Sequence, residues 1–124
     1  MTDSKSKSFL FEYLNNHSPT GFESSGQKIW LDYIRPYIDN YISDTYGTIV
    51  GVVNPNSDYK VVIEAHADEI SWFVNYITDD GYIYVIRNGG SDHQIAPSKR
   101  VNIHTENGIV KGVLVGQLFT LEIQ

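Results

Sequence analysis

The chain has 124 residues, a net charge of −6 and no cysteine. That length supports one ordinary core, and the acidic balance, with no clustered basic surface, excludes a nucleic-acid partner. The lack of cysteine excludes disulfides and thiolate metal sites, so any metal must be held by histidine and carboxylates. Residues 1–8 are too polar for a secretory signal and no apolar run reaches the length of a membrane span, so a soluble, cytoplasmic α/β protein without membrane contact is expected.

In chain order, Leu10, Tyr13 and Leu14 share one face of a short helix over residues 5–15, ended by Asn15-Asn16-His17-Ser18-Pro19. Thr20-Gly21-Phe22-Glu23 reads as a capping box before a second helix. That helix carries Trp30, Tyr33, Ile34, Tyr37 and Ile38 at the spacing of a buried stripe, and Pro36 should end it near Arg35. Residues 41–46 and 48–53 read as two strands around a tight turn at Gly47, and 54–58 as a loop. Residues 59–65 form an apolar run, the expected central buried strand, which empties into His66, Asp68 and Glu69. Beyond it the texture changes to short strands: 72–78 and 82–86 around Asp79-Asp80-Gly81, a loop at 88–92, then 101–105 and 109–114 around Asn107-Gly108. No helical period appears there, which puts a domain boundary near Ile70.

The carboxyl end of a buried strand is where open α/β sheets bind ligands. On the residues alone, two readings of His66 stand. It is a strand-end histidine hydrogen-bonded to a neighbouring carboxylate, or it is a metal ligand with Asp68 or Glu69 binding beside it or orienting its ring. One histidine and one or two carboxylates do not close a tetrahedral site. His17 reads as a solvated loop residue, His93 and His104 as exposed or edge positions, and Gly89-Gly90 as a turn. No nucleophile elbow, P-loop or dinucleotide fingerprint is present.

Several segments occur together in a characteristic order: Ser18-Pro19-Thr20-Gly21-Phe22-Glu23, Ala65-His66-Ala67-Asp68-Glu69-Ile70, Asp79-Asp80-Gly81, Gly89-Gly90 and Arg100-Val101-Asn102-Ile103-His104-Thr105. Through them the chain resembles, over residues 9–114, the N-terminal part of the glutamyl, deblocking and tetrahedral aminopeptidases, some of which carry the name cellulase M. Ser71 stands where that family usually has glycine. The resemblance implies part of an α/β, helix-flanked sheet of a zinc-peptidase-like catalytic domain over residues 1–70. It implies part of a small inserted β-barrel, used for oligomerisation, over residues 71–114. It further implies a dinuclear metalloaminopeptidase with two divalent ions, zinc or cobalt, that clamp the scissile carbonyl of a peptide substrate and activate water. His66 would bind one ion and Asp68 would orient its ring, while a separate Glu is the general base. A homo-oligomer is implied for the complete enzyme. The bridging Asp, the Glu pair, a further acidic ligand and a final His lie downstream of these motifs in the family, so these residues alone are expected to be inactive and poorly soluble. Two other readings stand beside this one. The first is a non-catalytic binding or oligomerisation module. The second is a fragment of a carboxypeptidase-like dinuclear hydrolase, a group that shares His-x-Asp after a strand but typically lacks the Glu-Ile continuation and the Gly-Gly and Arg-Val segments.

The resemblance stops at Val115. Relatives typically continue Gly-Trp-Pro-Ala-Ile-His, and loss of one G from such a coding stretch yields Val-Gly-Gln-Leu-Phe and a threonine codon, the residues at 115–120. Residues 115–124 are therefore expected to be out-of-frame translation, although 118–123 is apolar enough for a strand.

Overall fold

The structure is a computed structural model describing residues 4–115 and 120–123. The chain divides into two compact units, Met1–Glu69 and Ile70–Gln124.

In the first unit, helices α1 (Ser4–Asn15) and α2 (Ser24–Ile34) pack through aromatic side chains. Phe9 stacks on Tyr33 with centroids 4.0 Å apart and meets Tyr13, four residues along its own helix, at 5.8 Å. The expected stripe is only partly covered: no residue of α1 is buried, Gly26 alone is buried in α2, and Tyr37 is exposed. Pro36 acts where expected. α2 closes with the Arg35 amide donating to the Leu31 carbonyl, and a single 3-10 turn, Arg35–Tyr37, follows.

The capping box does not form. Glu23 sits at the N-cap with helical backbone angles and makes no side-chain cap, and its carboxylate instead accepts from the Gly21 amide at 2.6 Å. The reason is a turn: the Phe22 amide donates to the Pro19 carbonyl at 2.8 Å with Gly21 at φ +85°, the position where a type II turn requires glycine. Thr20 is thereby turned away from the α2 amides.

Strands β1 (Asn40–Ser43) and β2 (Ile49–Val52) form an antiparallel pair, Asn40 opposite Val52 and Ser43 opposite Ile49. Gly51 lets α2 lie close on β2, since a Cβ there would come within 2.7 Å of Ile34 Cδ1. The turn between the strands is closed by Asp44, whose carboxylate accepts from the Tyr46 and Thr48 amides at 2.9 Å each. The Thr48 amide is the main cause that holds the Asp44 carboxyl below its ordinary value of 3.8. A carboxyl lowered in the folded state stabilises the fold above its unfolded value and loses that contribution as pH falls through the folded value. Asp44→Asn should therefore be less stable than the parent at neutral pH, with the difference shrinking as pH drops below 3.8. Urea melts across that range check it.

Residues 59–65 are not a strand. Nothing from 59 to 68 belongs to a regular element, and Val61, Val62 and Ile63 are 71, 79 and 96% exposed. A strand exists only by hydrogen-bonding to a neighbour, and no described strand lies alongside this run.

The second unit is a five-stranded antiparallel sheet of β3 (Ser71–Ile77), β4 (Ile83–Asn88), β5 (Arg100–Thr105), β6 (Gly108–Val115) and β7 (Thr120–Ile123), in the order β3-β4-β7-β6-β5. The register follows the period of two: Ile83 and Val85 point into the core while Tyr84 and Ile86 face out. Ala96, Ile103 and Leu114 complete that core, with Trp72, Val101 and Val110 packed against it. β3 and β5 are free edges among the described strands, so the sheet there is not a closed barrel. β7 pairs with β4 and β6. It falls within the stretch read as out of frame, of which 116–119 and 124 lie outside the described residues. The α/β expectation holds as a mixture of helix and sheet.

Candidate metal centre

His66 and Asp68 are two residues apart in a stretch outside any regular element, and the geometry joins them. The Nδ1 of His66 lies 2.9 Å from Asp68 Oδ1 and 2.9 Å from the Asp68 backbone oxygen. Both neighbours are acceptors, so Nδ1 carries a proton and Nε2 is the nitrogen left to meet a ligand. The ring is 85% exposed, so Nε2 is accessible. This is the form in which a histidine binds a metal through Nε2 with a carboxylate behind it. The Asp68 carboxyl is held below the usual carboxylate range, first by the Thr20 hydroxyl and then by His66.

Glu69 is engaged elsewhere. Its carboxylate accepts from the Ser18 amide at 2.8 Å, and its own amide donates to the Ser18 carbonyl at 2.8 Å, beside a parallel bridge from Pro19 to Glu69. Ser18 is buried, its hydroxyl accepting from Asn16 Nδ2 at 3.0 Å. The close approach depends on Gly26: a Cβ there would fall 2.4 Å from Ser18 Oγ. Gly26→Ala should overpack this contact and cost about 1–3 kcal/mol despite the better helix propensity of alanine. Equilibrium unfolding in urea measures it, and a stabilised variant would mean that Ser18 can move aside freely.

His66 borders an open cleft of about 240 Å³, walled by residues 65–68, Glu23, Gln27, Tyr46 and Thr48. Gln27 ties α2 to the strand turn by donating to the Gly47 carbonyl at 2.9 Å. Among the described residues no group of three or more histidines and carboxylates could hold a metal ion. His17 lies in the loop before Ser18, His93 in a 3-10 turn and His104 on β5. The donor set thus fits one arm of a metal site: an imidazole in the binding tautomer with an acid behind it. Residue patterns alone missed Thr20 and the Ser18–Glu69 clamp. The signal that points to them is the Ser18–Glu23 motif itself, which belongs to the resemblance although its local pattern suits a helix cap.

Known proteins resemble this chain in sequence and in fold. The family model of the M42 glutamyl aminopeptidases matches residues 47–121. A lysyl aminopeptidase of Pyrococcus furiosus is 28% identical over 96 residues, which make up 77% of this chain and 28% of that protein. Among solved structures, a TET aminopeptidase from the marine sediment archaeon Thaumarchaeota archaeon SCGC AB-539-E09 superposes with a TM-score of 0.85 at 26% identity, covering 92% of this chain and 32% of its own. The TET1 peptidase of Pyrococcus horikoshii, described as assembling into a tetrahedron or a large octahedral shell, gives 0.69 at 25% identity, covering 89% of this chain and 33% of its own. The chain therefore spans about a third or less of the length of these relatives. With that family's model matched over more than half of its length, the chain belongs to the M42 glutamyl aminopeptidases.

Proposed function

We propose that this chain supplies one arm of a dinuclear metal site that releases N-terminal residues from peptides, and that the remaining ligands and the general base come from outside these residues. The observation that carries the reading is the Asp68-held His66, with Nδ1 protonated and Nε2 accessible. Two divalent ions, zinc or cobalt, would polarise the scissile carbonyl and activate water when bound. The chain's own part is narrower. His66 would offer Nε2 to one ion, Asp68 would keep the proton on Nδ1 and fix the ring plane, and the cleft beside them would leave room for a peptide end. By itself this segment should turn over no substrate. The test is release of N-terminal residues from short peptides by the complete gene product, after chelation and after adding back zinc or cobalt. Release that survives chelation, or cleavage only at internal bonds, would overturn the reading.

Assembly into a homo-oligomer through the second unit is part of the same proposal. Phe73 faces Ile86 and Tyr76 faces Tyr84 across β3 and β4, and all four side chains are exposed, an apolar face suited to burial between copies. The relatives that form shells support it. A cytoplasmic site of action follows the acidic, cysteine-free composition. An out-of-frame origin of residues 115–124 also belongs to the proposal. Resequencing near codon 115 tests it: restoring one nucleotide should open a frame that encodes Trp-Pro and, later, the further acidic and histidine ligands.

A further inference from the structure

Asp68 presents two carboxylate oxygens, and each has a different task. Oδ1 lies 2.9 Å from His66 Nδ1, and Oδ2 accepts from the Thr20 hydroxyl at 2.6 Å. A carboxylate held at one oxygen can still rotate about its Cβ–Cγ bond, and an exposed imidazole that loses its acceptor is free to change tautomer and ring plane. A donor on the second oxygen stops that rotation. Thr20 is itself fixed from several sides. The Pro19–Phe22 turn sets its backbone, Gly21 at φ +85° permits the turn, and Ser18 just before it is clamped at both amide and carbonyl by Glu69 and seated against Gly26 of α2. An unbroken set of contacts thus leads from α2 through the loop to the His66 ring. Thr20 is 48 residues from Asp68 in sequence, so the contact is a product of the fold.

We infer that Thr20 is a positioning residue, whose hydroxyl fixes Asp68 and through it holds His66 in the Nδ1-protonated tautomer that offers Nε2 to a metal ion. The functional meaning rests on the ligand role proposed for His66, but the tautomer is a property of these residues alone.

The test uses the metal-stripped complete gene product with ¹⁵N-labelled imidazoles, sedimented for magic-angle-spinning NMR, with His66 assigned by the signals lost in His66→Gln. The parent and Thr20→Ser should show a protonated Nδ1 and a bare Nε2. Thr20→Val, which keeps the shape and loses the hydroxyl, should show a mixture of tautomers and bind cobalt about 10-fold or more weakly, as loss of an orienting partner does. A serine variant that restores both readouts separates positioning from loop packing. An unchanged His66 in Thr20→Val, or a serine variant as impaired as the valine one, overturns the inference. A parent protein with the His66 proton on Nε2 overturns it without any variant, should the valine form not fold. If the parent shows the expected tautomer but binds no cobalt, the metal reading of His66 fails while the Thr20 role stands.

Discussion

His66→Ala in the complete gene product is expected to lower kcat/KM for peptide substrates by more than about 100-fold, because losing a ligand exceeds the roughly 10–100-fold cost of losing an orienting partner. Asp68→Asn should fall within that smaller range. Its amide can keep its oxygen toward His66 Nδ1 only with its nitrogen toward Thr20, whose hydroxyl must then turn to accept, and the negative charge behind the imidazole is lost. Both variants leave an exposed site, so neither should unfold the protein. The two are separated by metal: excess cobalt should restore much of the activity of Asp68→Asn and little of that of His66→Ala. The 124 residues alone should bind zinc or cobalt weakly, since no group of three or more ligands occurs among the described residues. Calorimetry that found two tight sites per chain, or metal-dependent turnover by this segment, would contradict the whole assignment.

What the residue pattern revealed and what it hid divide along the range of the interactions involved. Pro36 announces the end of α2 because it lacks an amide hydrogen, a purely local fact. The glycines at 47, 81 and 108 announce their turns for an equally local reason, each with a positive φ. The alternation in β4 announces which side chains enter the core, and Ile83 and Val85 do so. Thr20-Gly21-Phe22-Glu23 misleads because one pattern serves two local structures, a capping box and a type II turn, and the choice is made by Asp68 and Glu69 far along the chain. The run at 59–65 misleads differently: apolar composition states that a segment requires cover, not that the cover lies within reach. His66 and Asp68 were legible as a pair because they stand only two positions apart, within reach of a local hydrogen bond. The oxygen that Thr20 holds was not legible, since no local rule connects positions 20 and 68.

The same uncovered run leads to the second large effect. Val61, Val62 and Ile63 expose most of their apolar surface in one contiguous stretch that belongs to no described strand. Burying such side chains is worth about 1.5–3 kcal/mol each, and an unpaired extended segment offers a template for pairing with another chain. Three together exceed what isolated surface hydrophobics contribute and can offset much of the cost of association. The 124-residue chain is therefore expected to self-associate at micromolar concentration. Val62→Lys combined with Ile63→Lys should weaken that association, because a charge can be neither buried nor paired there at low cost. Added positive charge alone would alter the colloidal behaviour of a chain with net charge −6, so the control is Asn56→Lys with Ser57→Lys, the same charge change on an exposed polar loop. Sedimentation velocity over a concentration series reads all three. The expected result is a concentration-dependent shift of similar size for the parent and the loop control, and a clearly smaller one for the Val62 and Ile63 variant, which keeps the apolar face of β3 and β4. A parent chain that is a monodisperse monomer with a sharp, cooperative melt would mean that residues 61–63 have found cover within the chain, and the unpaired reading of this segment would be wrong.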